Sequence, residues 1–275
     1  MTQFELLPTA VRIAKRHRPN FDGKAIMKRA RAVASSMLAI VSVGCVAPET
    51  PVQNAPEFQQ LTPDSGDLDA TALVEGIYRY QNNAGNQMNI RLSREPFEGR
   101  EAFRAEVWFN AALDDGSPDL IRFDASTYRF LSRRMGDPAR YVVDVRFTDD
   151  NRFVGTLTPG EDSGYTAVVY DRPYPHGGFE PSILFFYLSA LPLHEAYTVS
   201  IPTFDLNNGS QMIWANIEVE EREQINVLGR SYDALRIVSR GARNKIFWIV
   251  DDMPVPIRMR TGDSPAWTLV TVSSD

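Results

Sequence analysis

The chain is 275 residues long and 43% hydrophobic, with one cysteine and a formal charge of −6. That length supports a buried core, and a lone thiol excludes an internal disulfide framework. Positions 1–44 hold 8 Lys and Arg against 2 Asp and Glu, so the remainder keeps 21 against 33 and a charge of −12. This is the wrong balance for displacing counterions from nucleic-acid phosphates.

The first element is an apolar run. Ala32 to Gly44 is 13 residues without a charge, short of the roughly 20 that a membrane-spanning helix needs. Lys28, Arg29 and Arg31 precede it, directly after Met27, and the small residues Ser42 and Gly44 close it. Basic, apolar, small is the order of a secretory signal. The run ends in Gly44-Cys45 and continues into a stretch rich in Pro, Gln and Asn. In this it resembles the lipobox of bacterial lipoproteins, with Ser42 where that family prefers Leu. The resemblance implies cleavage before Cys45, acylation of that cysteine, and a lipid-anchored envelope protein whose domain faces the periplasm. Val46 after the cysteine leans toward the outer membrane under the sorting preference of enteric lipoproteins. Plain secretion and a soluble core helix are the competing readings. Residues 1–26 carry Arg12, Lys15, Arg16, Arg18 and Lys24 ahead of the signal, and read as an upstream start codon chosen in error. A basic arm for nucleic acid is the alternative, and cleavage before Cys45 removes it.

Residues 45–69 include four prolines and few large apolar side chains. Such a segment cannot bury enough to offset its ordering entropy, so it is expected to be a disordered tether. From Ala72 the texture changes to short alternating segments separated by turn residues. Leu73 to Tyr80, the turn "QNNAGNQ" and Met88 to Arg94 read as a hairpin. "AFRAEVWFN", "STYRFLSRR", "RYVVDVRF", "RFVGTL" and "GYTAVVYD" follow as strands. Tyr141, Val143, Val145 and Phe147 alternate with Val142, Asp144 and Arg146, as on a sheet with one face covered. Pro181 to Leu193, "PSILFFYLSALPL", breaks the rhythm because it is apolar nearly all round. With Pro181 suited to a first turn and Pro192 to a stop, a helix of about eleven residues is expected on the concave side of the sheet. A buried strand is the alternative. Further strands run to the C-terminus, with turns at Asn207-Asn208-Gly209, Gly229-Arg230 and Asp251 to Pro254. The expected fold is mainly β: over residues 70–275, a single curved antiparallel sheet or open half-barrel enclosing one or two short helices.

The segments "INVLGRSYDALRI" (Ile225 to Ile237) and "FWIVDDMPVPIRMR", with Trp248, Asp252, Pro254, Pro256 and Arg258, resemble the tail of an uncharacterised family of exported bacterial proteins. That family is similar in architecture to the lipoprotein carriers LolA and LolB, in which a curved antiparallel sheet wraps short helices and holds an acyl chain. The resemblance implies fold and envelope location, and carries no catalytic residues.

No motif for chemistry competes with this reading. His194 lacks a second histidine four residues on, where Thr198 stands, so the zinc-protease spacing fails. His176, in the loop "YPHGGFEP", reads as a solvated loop residue, part of a metal site with Asp171 or Glu180 being the alternative. Ser163 in "GEDSGY" lacks the nucleophile-elbow spacing. The adjacent pairs Asp114/Asp115, Asp149/Asp150 and Asp251/Asp252 read as loop charges rather than a glycosidase pair. "DLNNGSQ" does not follow a calcium loop. No cofactor, metal or enzyme is expected. Lys245, the only lysine beyond position 44, is read as composition bias. What remains is the apolar interior. Most aromatics are expected to be core, and a subset, Phe185, Phe186, Trp214 and Trp248, to line a hollow for a lipid or other amphiphile, with Arg258 (and Arg260) at its rim. An envelope protein partner docking on the sheet is the second reading, and a hydrolase with an unrecognised site the third.

Overall fold

The computed structural model describes residues 58–206, 210–241 and 243–273. Within them two consecutive meanders join edge to edge. The first runs through β2 (Gly76–Asn82), β3 (Gln87–Phe97), β4 (Arg100–Phe109), β5 (Asp119–Asp124), β6 (Phe130–Asp137), β7 (Tyr141–Phe147), β8 (Arg152–Pro159) and β9 (Val168–Pro173). The second runs through β10 (Thr198–Asp205), β11 (Gln211–Val227), β12 (Arg230–Arg240), β13 (Lys245–Ile249), β14 (Arg258–Thr261) and β15 (Trp267–Ser273). β15 pairs antiparallel with β2, so both meanders form one open sheet. The expected mainly β, curved, open architecture is what the chain adopts.

Local chemistry explains the pairings. In the first hairpin Tyr78 lies opposite Ile90, and the Asn82 side chain accepts from the backbone N–H groups of Ala84 and Asn86, closing the turn. Along β7, Val143, Val145 and Phe147 are buried while Asp144 and Arg146 are exposed, the alternation read from the sequence. Register shifts at Arg122/Phe123, Val219/Arg222 and Leu269/Thr271 each add local twist, and they curl the sheet around its apolar side.

Residues 58–69 differ from the tether expectation. Gln59–Gln60, β1, pair with Val199 and Ser200 of β10, in parallel rather than antiparallel sense. Leu61 donates to the Ser200 carbonyl (2.9 Å) and is 2% exposed. The burial of Leu61 and Pro63 supplies what composition averaged over 45–69 hides. Cys45 and the leader lie outside the described residues.

The interior is filled from the segment that broke the strand rhythm. It is a helix, but a short one: a 3-10 turn over Pro181–Ile183 leads into α1 (Leu184–Leu188), every residue of which is buried. α1 is shorter than expected because its end tightens before Pro192. Ala190 and Leu191 donate to the carbonyls of Tyr187 and Leu188, and the carbonyl of Ala190 is taken by the N–H of Asp69. Phe186 meets Tyr78 edge-on at 5.7 Å, and Tyr187 meets Phe123 at 5.6 Å. A second aromatic layer, Phe130, Phe147, Phe153 and Phe204, packs beside it.

One turn in this wall carries a pH prediction. Asp124 Oδ1 accepts from the N–H and hydroxyl of Ser126 (2.9 and 2.6 Å) and from the N–H of Thr127 (2.9 Å). Burial alone would raise the carboxyl's pKa, but the Ser126 and Thr127 hydrogen bonds overcome it and leave it below the ordinary value. A lowered folded-state pKa contributes stability that is present above the unfolded value, about 4, and is lost as pH falls through the folded one. Asp124→Ala is expected to cost about 1–2 kcal/mol at neutral pH. The gap from wild type should narrow below about pH 4 in denaturation curves.

Candidate functional site

The two aromatic layers do not fill the sheet's interior. Between them and the strands lies a hollow of about 600 Å³, open on one side, within the ~300–1,000 Å³ range of sites that enclose a small ligand. Its apolar lining comes from Met88, Trp108, Phe185, Phe204, Phe247 and Trp267, among others. At the mouth Phe109, 44% exposed, stands edge-on to Trp267 with ring centres 6.4 Å apart.

One wall is polar. Arg133 on β6 grips Asp119 of β5 with two donors, Nε to Oδ1 at 2.9 Å and Nη2 to Oδ2 at 2.5 Å. Its third donor, Nη1, reaches Glu180 Oε1 at 2.9 Å. The same oxygen accepts the N–H and hydroxyl of Ser182 (3.0 and 2.6 Å), which caps the 3-10 turn leading into α1. Glu180 is fully enclosed, and its other oxygen, Oε2, has no hydrogen-bond partner among the described residues. Burial alone would loosen Arg133's proton, but Asp119 and Glu180 more than offset this and raise its pKa. Lys245 at the start of β13 stands on the same wall and donates to the Pro181 carbonyl. Burial lowers its pKa to about 8; Glu180 pulls the other way, while Arg243 and Arg133 add to the lowering. The wall thus combines a locked ion cluster with a weakly held ammonium facing an apolar space.

The sequence-stated ligand residues divide cleanly. Phe185 lines the hollow. Phe186, also on α1, is fully enclosed in the core and does not reach it. Trp214, Trp248 and Arg258 lie one residue out of phase with the lining residues Ala215, Phe247 and Met259. Alternation therefore turns them to the opposite face of the sheet. There Trp214 rests against His176 at 5.9 Å, and Trp248 bonds Glu223 and stacks under Arg258 at 5.7 Å. Arg260 shares the phase of Arg258 and is exposed.

The residues weighed for chemistry are dispersed. His176 and His194 are both exposed, and the bond of His194 Nδ1 is to the Glu195 carbonyl at 2.9 Å. Ser163 Oγ donates to the Gly160 carbonyl and accepts from Tyr165 N–H, the work of a turn. Asp114, Asp149 and Asp251 pair with Arg91, Arg100 and Arg222 at 2.9, 2.7 and 2.6 Å. Among the described residues no group of three His, Cys, Asp or Glu side chains is placed to hold a metal ion. The Asn207-Asn208-Gly209 turn lies outside them. Arg133 and Lys245, both half-buried, were missed as site residues, and Glu180 was weighed only beside His176. The available signal was the isolation of Lys245 as the sole lysine after position 44.

Compared with known proteins, the chain matches no family model, no curated protein and no solved structure.

Proposed function

We propose that this is a non-enzymatic, lipid-anchored protein of the bacterial envelope, its domain facing the periplasm from the outer membrane, and that its hollow binds a lipid or other amphiphile. The observation that carries the binding reading is the half-open, mainly apolar hollow of about 600 Å³ with its single polar wall. An alkyl chain enclosed there gains about 0.8 kcal/mol per CH₂, while a head group has one side of the site to meet. The anchoring part of the reading rests on the lipobox-like run ending at Cys45 and on the resemblance of the C-terminal segments to an exported family of LolA/LolB-like architecture.

Two measurements test it. The protein recovered from membranes after expression of the whole sequence should begin at Cys45 and carry a diacylglycerol mass that Cys45→Ala abolishes; an intact, unlipidated chain beginning at Met1 overturns the anchor. Native mass spectrometry of the same protein, with titration of a fluorescent fatty acid, should show one bound amphiphile. A hollow that stays empty at saturating ligand overturns the binding reading.

One observation favours docking of an envelope protein as a second reading. β9 is an edge strand whose Val168 and Val169 are 38% and 79% exposed, and an unpaired edge is a template for strand addition. Crosslinking in cells through residue 169 would capture such a partner.

A further inference from the structure

Resting on the amphiphile reading above, we infer that the hollow selects an amphiphile with an anionic head group, a carboxylate or phosphate, received by Lys245 and Arg243 on its polar wall.

Of the charges deep in the wall, Arg133 bridges Asp119 and Glu180, spending three donors on the two carboxylates, and Glu180 Oε2 has no hydrogen-bond partner among the described residues. Glu180 is enclosed completely, and its charge is held by the Arg133 guanidinium at 2.9 Å and by its pull on the Lys245 amine. Lys245 is different. Its ammonium has one acceptor, the Pro181 carbonyl, and no ion-pair partner among the described residues, which leaves two of its three donors for a guest. Arg243, two residues earlier on the same wall, is exposed and likewise has no ion-pair partner among them. Of the charges acting on the amine, Glu180 exerts the largest pull, and Arg243 and Arg133 oppose it as like charges. An anion seated between Lys245 and Arg243 turns that repulsion into attraction and gains charge-assisted hydrogen bonds. At the rim Arg140 adds a further cation without an ion-pair partner among the described residues. Of the other carboxylates on the lining, Asp115 and Asp137 are exposed to water, where their field is screened, and Asp205 is half-buried and engaged with a partner of its own. An uncharged head would leave the ammonium unmatched, and a quaternary ammonium head would face it directly.

The test uses the full-length protein and four ligands of equal chain length: laurate, dodecyl phosphate, dodecanol and dodecyltrimethylammonium. Affinities are measured by competition against one fluorescent fatty alcohol below the critical micelle concentrations. Both anions are expected to bind about tenfold or more tightly than dodecanol, with the cationic ligand weakest. Laurate ahead of dodecyl phosphate marks a carboxylate head and the reverse a phosphate, and either order supports the assignment. Lys245→Met and Arg243→Ala should each erase most of the preference for anions, read as the ratio of anion to dodecanol affinity. Arg243 is exposed, so its variant keeps the test valid if the lysine variant folds poorly. Equal binding of anions and alcohol overturns this inference and leaves the hollow-binding reading standing. Binding of none of the four overturns both.

Discussion

Arg133→Met is expected to cost about 3–5 kcal/mol of stability, because it strands a carboxylate in the protein interior. Glu180 is 0% exposed and Arg133 Nη1 is the cation that touches it. Lys245, the next positive charge, is engaged with the Pro181 carbonyl. Once the guanidinium is gone, Ser182 alone still donates to the carboxylate. The cost should therefore come mainly from the unpaired charge rather than from lost packing, since methionine replaces most of the stem volume. That division is measurable. In a double variant, Glu180→Gln removes the charge and keeps an oxygen for Ser182, and more than half of the loss should be recovered. A double variant no more stable than Arg133→Met would mean that shape, not charge, holds this wall. Because Glu180 caps the turn that enters α1, the single variant is also expected to loosen the near end of the hollow, which amide exchange over residues 182–188 would report.

The sheet was legible in the sequence wherever one phase of a strand was apolar and the other polar. β7 is such a case: Asp144 and Arg146 identify the wet face, and Val143, Val145 and Phe147 the dry one. The turn expected at Gly229-Arg230 was legible to within one residue: its glycine is in the turn, but the turn residues are Leu228 and Gly229, and Arg230 already pairs with Val227 as the first residue of β12. The inner face was not legible in strands where both phases are large. In β13 Phe247 and Trp248 are neighbours and both buried, so composition gave no reason to prefer the first as the lining residue. The same ambiguity of sign displaced Trp214 from Ala215 and Arg258 from Met259. A period of two specifies alternation, and only tertiary contact says which phase is inside.

The polar wall was hidden for a different reason. Arg133 meets Asp119 and Glu180 across 14 and 47 residues of sequence, so no local spacing announces the cluster. Glu180 was read beside His176 because they share a loop, yet its partners come from β6 and the turn that follows it. The extent of α1 was misjudged because Pro192 marks where a helix must stop, not where it does. Hydrogen bonds from Asp69, and from Ser189 to the Pro254 carbonyl, draw its end into other company first.

The second large effect is expected at Gly155, in the middle of β8. Its φ of +149° belongs to a region that side-chain-bearing residues rarely enter, and a Cβ there would lie 2.1 Å from the Asp144 carbonyl oxygen and 2.6 Å from Val145 Cα. Both obstacles are backbone of the neighbouring strand, paired through Val145 to Gly155 itself, so neither can step aside without breaking the β7–β8 ladder. Gly155→Ala should therefore cost on the order of 3 kcal/mol or more, combining backbone strain with a steric clash. Gly164 is the internal control. It also has positive φ, +71°, but a Cβ there would meet nothing within 4 Å, so Gly164→Ala should lose only about 1 kcal/mol. Chemical denaturation of the two variants side by side separates the contributions. Equal losses would mean that backbone conformation alone sets the cost and that the β7–β8 pairing at Val145 is looser than its register implies. A loss several-fold larger at Gly155 would mark the close approach of β7 and β8 as the feature that requires glycine, and with it the tight coil that brings Arg133 on β6, the strand beyond β7, against Glu180.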